Sequence, residues 1–321
     1  MQRLTENKIV LITRKTRLDD LVARFNTVMQ AKFYIEHMGS DFHDYQSEHD
    51  NYYKAVDSVL EKLTTMGRIQ QIDRAFLPNF VFGADDIVVA VGQDGLVANS
   101  LKYLNEQPLI GINPDPERWD GVLLPFSVSD VTKIIPEVFQ KKRTTRSITM
   151  GKVVLNDGQS LLAVNDFYIG QRTHVSSRYI ITVGEQSERH SSSGIIVSTG
   201  LGSSGWLKSV LAGAKGISGM MQTLDNDAKK IIRKTNSTQS FDMAWDADYL
   251  RFSVREPFPS KSTQANMVFG VVRDELPLKI LSLMGENGVI FSDGVEQDYL
   301  SFNSGLEATI RLAAHKGRLV V

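Results

Sequence analysis

Ile87-Val88-Val89-Ala90-Val91-Gly92-Gln93-Asp94-Gly95-Leu96-Val97-Ala98-Asn99-Ser100 sets one carboxylate in a glycine-framed turn between an apolar run and a helical pattern. Five apolar residues in a row, Ile87 to Val91, suit a strand buried on both faces, as in the middle of a parallel sheet. The run stops at Gly92. Gly92 and Gly95 allow positive φ and close approach of a ligand to the backbone, while Leu96 to Leu104 has helical apolar spacing. The turn therefore ends at a helix N-terminus, whose unpaired amides and dipole favour phosphate. Asp94 would repel a phosphate lying directly on it. Its useful roles are to hold a hydroxyl, to accept that hydroxyl's proton, or to hold a metal ion. These are the needs of a phosphoryl acceptor site. No Lys-Ser or Lys-Thr follows the glycines, so the turn is not a P-loop, and the Gly-x-Gly-x-x-Gly of dinucleotide-binding oxidoreductases is absent. Ordinary Asp-Gly turn chemistry is the structural alternative.

A chain of 321 residues, 42% hydrophobic and 23% charged, predicts about two globular domains. The absence of cysteine excludes disulfides, thiolate metal sites and cysteine nucleophiles, and suits a reducing compartment. A net charge of -1 gives no general reason to expect nucleic acid or a membrane surface as a partner. The polar Met1 to Lys8 is followed by only the short apolar run Ile9 to Ile12, which predicts neither a signal peptide nor a membrane span. A cytoplasmic protein is expected.

Ile9 to Ile12 predicts a first buried strand, ending at Thr13-Arg14-Lys15-Thr16-Arg17. Basic residues at a strand end, Arg14 among them, could meet phosphate or simply be solvated. Apolar spacing predicts one helix over Leu18 to Met38 and a second over Ser47 to Met66, with Gly39 and Gly67 as stops. Strand and helix in alternation argue for a parallel sheet. His37, His43 and His49 do not share a helical face, so no metal site is assigned to them. Pro108-Leu109-Ile110-Gly111-Ile112-Asn113-Pro114-Asp115-Pro116 predicts a short strand running into a rigid loop. That loop and the Asp94 turn both follow strands, where ligands of open α/β sheets collect. Val128 to Phe139 predicts a further helix.

The charged passage Lys141 to Arg146 marks a change of pattern, placing an α/β domain over 1–140 and a mainly β domain over 141–321. Asn156-Asp157-Gly158 between Ile148 to Leu155 and Ser160 to Ile169 is a hairpin signal. Short strands follow at Arg178 to Val183, Tyr249 to Val254, Met267 to Val272, Leu278 to Leu283 and Val289 to Ser292, which predicts a sandwich. Three places stand out. Asn165-Asp166, after an apolar strand, can donate to and accept from ribose hydroxyls or a base edge. Ser198-Thr199-Gly200-Leu201-Gly202-Ser203-Ser204-Gly205-Trp206 predicts a tight loop entering a helix. Its small residues suit either a nucleotide or close helix packing, and Trp206 can offer a ring face. Asp293-Gly294 predicts an ordinary tight hairpin. The final Gly317 to Val321 is open to a return to the first domain.

In this order, Gly92-Gln93-Asp94-Gly95, Asn165-Asp166, the Ser198 to Trp206 loop and Ser292-Asp293-Gly294 resemble the marks of the NAD kinase family. That family has a Gly-Gly-Asp-Gly turn, an Asn-Glu or Asn-Asp pair, a Thr-Gly-rich loop and a late Asp-Gly hairpin. Asn113 to Arg118, Asn165 to Gly170, Ser192-Ser193-Gly194 and Phe252 to Pro257 resemble its mitochondrial-type branch. The resemblance spans nearly the whole chain. It implies an α/β domain with a Rossmann-like parallel sheet followed by a β-sandwich domain, the NAD kinase/diacylglycerol kinase-like fold, with the active site between them. It further implies transfer of a phosphoryl group from ATP or another donor, with Mg²⁺, to the 2′-hydroxyl of the adenosine ribose of NAD, by a homo-oligomer, a dimer or a tetramer. Asp94 falls on the proton acceptor. Gly95, Asn165, Asp166, Thr199, Ser204, Gly205 and Trp206 fall on the NAD-binding positions, while Gly92, Gln93, Asn113 and Arg14 are candidates for the phosphate donor. No protein metal ligand is assigned.

Two departures bear on the donor: Gln93 stands where the family has a second glycine, and Leu96 where it usually has threonine. They motivate the alternative of an NAD- or NADP-binding homologue with impaired catalysis. A lipid or sphingoid kinase of the same superfamily is the other, although the polar Asn165-Asp166 pair and hydroxyl loop suit a lipid pocket poorly.

Overall fold

The computed structural model describes residues 5–226 and 242–321, with the side chains of 219–226 and of 296 and 297 outside that description. The chain divides into two compact units: Met1–Ser147 together with Gly317–Val321, and Ile148–Lys316.

The first unit begins with β1 (Lys8–Thr13), then α1 (Arg17–Phe25), α2 (Val28–His37) and α3 (Phe42–Thr64). The single helix expected over Leu18 to Met38 is thus two. Asn26 takes the left-handed backbone, φ 67°, and the Thr27 side chain accepts from the Gln30 amide to start α2. Asparagine tolerates that conformation and threonine caps well, so two local signals outweigh a continuous apolar stripe. α3 starts ahead of the expected Ser47 because Asp41 caps it. There follow β2 (Arg68–Asp73), β3 (Ile87–Val91), α4 (Asp94–Leu101), β4 (Pro108–Asn113), the two-residue β5 (Phe126–Ser127), α5 (Val131–Phe139) and β6 (Thr145–Ile148).

The strands run β2-β1-β3-β4, all parallel, with β5 parallel to β4. β2 is absent from the sequence reading because its polar side chains leave no apolar pattern, as befits a sheet edge. Ile9, Leu11, Val89, Val91, Ile110 and Ile112 pack under Tyr52, Val56, Val59 and Leu63 of α3 and Ile134, Ile135 and Val138 of α5. The alternate residues Val10, Ile12, Val88 and Ala90 are fully buried too, so both faces of the sheet are covered, as the five-residue apolar run requires.

The second unit comprises β7 (Gly151–Leu155), β8 (Ser160–Ala163), β9 (Asp166–Gln171), β10 (Ser177–Val183), β11 (Gln186–Ser192), β12 (Ile195–Ser198) and α6 (Trp206–Asn226). It continues with β13 (Leu250–Val254), β14 (Phe269–Val272), β15 (Leu278–Ser282), β16 (Gly288–Ser292), β17 (Val295–Ser301) and β18 (Glu307–Leu312). Two six-stranded antiparallel sheets result, ordered β11-β10-β15-β18-β7-β8 and β14-β13-β12-β9-β16-β17. One core joins them: Val153, Tyr179, Ile181, Ile280 and Ile310 from the first sheet meet Phe167, Ile169, Ile195, Val197, Phe252 and Ile290 from the second. The unit is a β-sandwich.

The last strand, β19 (Gly317–Val320), belongs to the first unit. It pairs parallel with β4, Arg318 beside Pro108 and Leu319 beside Leu109, with β6 on its far side. Leu319 is 1% exposed. Leu319→Ala is expected to destabilise the first unit by about 2–5 kcal/mol. A urea unfolding titration of the variant against the parent protein measures it.

Candidate active site

Parallel pairing brings the ends of β1, β3 and β4 together, with Ile12 beside Ala90 and Val91 beside Ile112. Arg14, Gly92 and Asn113 therefore share one sheet edge, the carboxyl end where ligands of open α/β sheets bind. Tyr52 ties it from α3: its hydroxyl accepts from the Arg14 amide at 2.7 Å and donates to the Val91 carbonyl at 3.2 Å.

Asp94 opens α4, behind an extended Gln93 whose side chain makes no capping bond. The Asp94 carboxylate is half-buried. Its Oδ1 accepts from the Leu123 amide at 2.8 Å and its Oδ2 from the Val122 amide at 3.2 Å. Two main-chain donors orient the group, and each oxygen keeps capacity for a further hydrogen bond.

The loop that brings those amides is built by β4. Asn113 Nδ2 donates to the Trp119 carbonyl at 2.9 Å and its Oδ1 accepts from the Asp115 amide at 3.0 Å. Asn113 is 5% exposed, and its side chain holds the loop. Gly111 lets the loop lie against the strand, since a Cβ there would come 2.1 Å from the Leu123 carbonyl oxygen. α3 braces the loop through an Arg118–Asp44 ion pair and an Asn51 Nδ2 bond of 3.0 Å to Asp115 Oδ2.

Arg14 also has a structural engagement. Its guanidinium pairs with Glu48 at 3.0 Å, donates to the Lys15 carbonyl at 2.9 Å and lies 4.8 Å from the Tyr52 ring centre. Burial acts to raise the pKa of Glu48, but Arg17 and Arg14 outweigh it and hold that carboxyl below its ordinary range. Gly92 and Gly95 both have negative φ, contrary to the conformation their freedom suggested. A Cβ on Gly92 would come 2.8 Å from Leu96 Cδ2, whereas one on Gly95 would meet nothing within 4 Å. Gly92 thus seats the buried Leu96, and Gly95 leaves open space beside Asp94.

In the second unit, Asn165 and Asp166 stand at the start of β9. Their backbone is held by a residue whose local pattern predicts an ordinary hairpin tip. Asp293, with φ 55°, turns its carboxylate onto the amides of Val164 at 3.1 Å, Asn165 at 2.6 Å and Asp166 at 3.3 Å. Nothing local in an Asp-Gly turn reveals partners 127 to 129 residues away. Asp166 is 8% exposed, and its pKa is pushed up to about 7, first by burial and second by the charge of Asp293.

The loop after β12 is packed from within. Thr199 is 1% exposed; its hydroxyl donates to the Val164 carbonyl at 2.5 Å and accepts from the Gly202 amide at 3.2 Å. A Cβ on Gly202 would fall 2.0 Å from the Asn165 carbonyl oxygen, so close backbone packing accounts for that glycine. Ser204 and Gly205 are exposed, and the Ser204 hydroxyl donates to the Leu201 carbonyl at 3.2 Å. The Trp206 ring stacks on Tyr168, 5.8 Å between centres.

Neither a protein-family model nor a curated protein matches the sequence. Solved structures do match, over nearly the whole chain. An NAD kinase from Archaeoglobus fulgidus, in complex with ATP, is 16% identical with a TM-score of 0.57, covering 98% of this chain and 93% of that one. Yeast NADH kinase, complexed with NADH, is 12% identical with a TM-score of 0.59, covering 99% of this chain and 84% of that one. The chain has the NAD kinase fold. Identity this low speaks for the fold alone, an α/β unit with a parallel sheet and an antiparallel sandwich. On this NAD kinase fold the Gly-Gln-Asp-Gly turn sits at the carboxyl end of the parallel sheet and the Asn-Asp pair at the start of β9, an interior strand of the sandwich. Among the described residues, no helix is long and apolar enough to cross a membrane.

Gly111→Ala is expected to lower the midpoint of thermal unfolding by several degrees, as overpacking a tight site costs about 1–3 kcal/mol or more. Gly95→Ala should leave it within a degree or so of the parent. For Asp166 the folded protein keeps its proton up to about pH 7, while the unfolded chain loses it near 3.8, the ordinary value for an aspartate. Stability therefore declines as pH rises between those values. Asp166→Asn should be more stable than the parent at pH 8, with the difference shrinking towards pH 4, in urea titrations across that range.

Proposed function

We propose that the protein is an NAD kinase, moving the terminal phosphoryl group of ATP, or of another phosphate donor, to the 2′-hydroxyl of the adenosine ribose of NAD. The observation that carries this reading is Asp94, a carboxylate fixed by two amides at the start of a helix, on a fold shared with an NAD kinase and an NADH kinase. The ribose oxygen attacks the terminal phosphorus and its proton passes to Asp94. The bond from that phosphorus to the bridging oxygen breaks, and ADP leaves with the electron pair. Asn165 and Asp166 hold the adenosine end through its hydroxyls and base edge, with Ser204, Gly205 and Trp206 lining the same pocket. Thr199 serves by fixing the loop. Gly92 and Gln93 receive the donor phosphates, and the open space at Gly95 admits the NAD ribose beside Asp94.

Magnesium fits as an ion carried by the nucleotide. Among the described residues no group of three or more His, Asp or Glu side chains could hold a metal, and Mg²⁺ is commonly held by phosphates and water with few protein ligands. Bound there, it would neutralise charge on the transferring phosphates. A homo-oligomer suits the same reading: of the described side chains of α6 only Leu207 is buried, and Ile217 is 66% exposed. A second reading, nucleotide binding without turnover, is favoured by Gln93, whose long side chain stands uncapped where phosphate would approach.

Incubation with NAD, ATP and Mg²⁺ should yield NADP, detected by an NADP-specific dehydrogenase. No product with ATP, another nucleoside triphosphate or polyphosphate would overturn the kinase reading, and tight NAD binding by calorimetry in that case would establish the second. Asp94→Asn should lower turnover by about 10²–10⁴-fold with NAD affinity within a few fold, since a general base contributes on that scale.

A further inference from the structure

The second unit holds a cavity of about 240 Å³ whose lining includes Tyr168, Arg172, Trp206, Arg255, Phe291 and Tyr299. Tyr168 stacks on Trp206 and, with centres 5.0 Å apart, on Phe291. The Arg255 guanidinium lies 5.2 Å from the Trp206 ring centre, and that of Arg172 lies 5.1 Å from the Tyr299 centre. A guanidinium over a ring engages its face and leaves its in-plane N–H groups for a planar or tetrahedral oxyanion. Those edges are not engaged here. Among the described residues neither guanidinium donates a hydrogen bond, and the ion pair of Arg255 is a 3.7 Å contact with the exposed Glu256. No described carboxylate lines the cavity, so its charge is positive.

Two unengaged guanidinium edges among four aromatic side chains are an arrangement a fold does not need for its own stability. Surface arginines are ordinarily solvated, but here both are stacked and aimed around one concavity. We infer that this cavity takes an aromatic ring carrying a phosphate, the ring among the aromatic side chains and the phosphate on Arg172 and Arg255. Its volume lies below the roughly 300 Å³ at which pockets for drug-sized ligands begin, so it receives one ring system and its phosphate and not a whole dinucleotide. Phe167 and Ile169 point into the sandwich core, so Asp166 and Tyr168 share the opposite face of β9. They stand about 7 Å apart along the strand. The ligand is therefore either part of a dinucleotide already held at Asp166, which rests on the kinase reading, or a separate mononucleotide, which does not.

Calorimetry with AMP as the probe tests this. AMP should bind, adenosine should bind at least tenfold more weakly, and Arg172→Gln and Arg255→Gln should each weaken AMP about tenfold or more. Arg172 is exposed, so its variant should melt with the parent and keep the test free of folding defects. AMP affinity unchanged in both variants, or no AMP binding at millimolar concentration, overturns the inference. Displacement of AMP by NAD assigns the site to the dinucleotide, and simultaneous binding assigns it to a mononucleotide. If arginine-dependent AMP binding persists while no NADP is formed, only the kinase reading fails. If NADP is formed while AMP ignores both arginines, only this site fails.

Discussion

The carboxylate of Asp94 is held by the main-chain amides of Val122 and Leu123, and the carboxyl edge of the first unit is arranged to bring those amides to it. Gly111 admits the loop against β4, Asn113 closes the loop on itself, and Arg118 and Asn51 fasten it to α3. Behind that, Glu48 gathers Arg14 and Arg17, and Tyr52 joins the ends of β1 and β3. Main-chain donors suit this task because ordering long side chains to hold a carboxylate costs conformational entropy that an already folded backbone does not lose again. A group positioned so can accept a proton without first being reoriented.

The second unit repeats the device with Asp293, which gathers three consecutive amides at the start of β9. Its partner carboxylate, Asp166, is buried nearby and, among the described residues, receives no such donors. Two carboxylates in a low-dielectric site cannot both be ionised cheaply. Burial first and the charge of Asp293 second raise Asp166, which holds a proton up to about pH 7. The start of β9 thus has one carboxylate that fixes its backbone and one buried carboxyl that titrates near neutrality.

Much of the architecture was legible from local pattern. The run Ile87 to Val91 is the buried parallel strand it predicts, Asn156-Asp157-Gly158 is a hairpin turn, and the β-rich segment after Ser147 is a sandwich. Where local signals compete, apolar spacing alone misleads: Asn26-Thr27 breaks a helix that the spacing joins, and the polar β2 leaves no periodic trace. Arg14 by its charge, and Asn113 and Thr199 by the family resemblance, are candidates for ligand chemistry. Their side chains are engaged with Glu48, with Trp119 and Asp115, and with Val164, because a polar group brought into a fold must find a partner and the nearest is commonly the protein's own.

By itself the sequence determined the two kinds of unit, the strand-turn-helix around Asp94 and the placement of Asn165-Asp166 after an apolar strand. Each depends on contacts a few residues long, and periodicity and turn chemistry record such contacts directly. Only the tertiary structure decided that Val122 hold Asp94 across 28 residues, that Asp293 reach Val164 across 129, and that Arg172 and Arg255 stand over Tyr299 and Trp206. Those partners meet through strand order and loop return, and neither leaves a mark on the residues next in the chain.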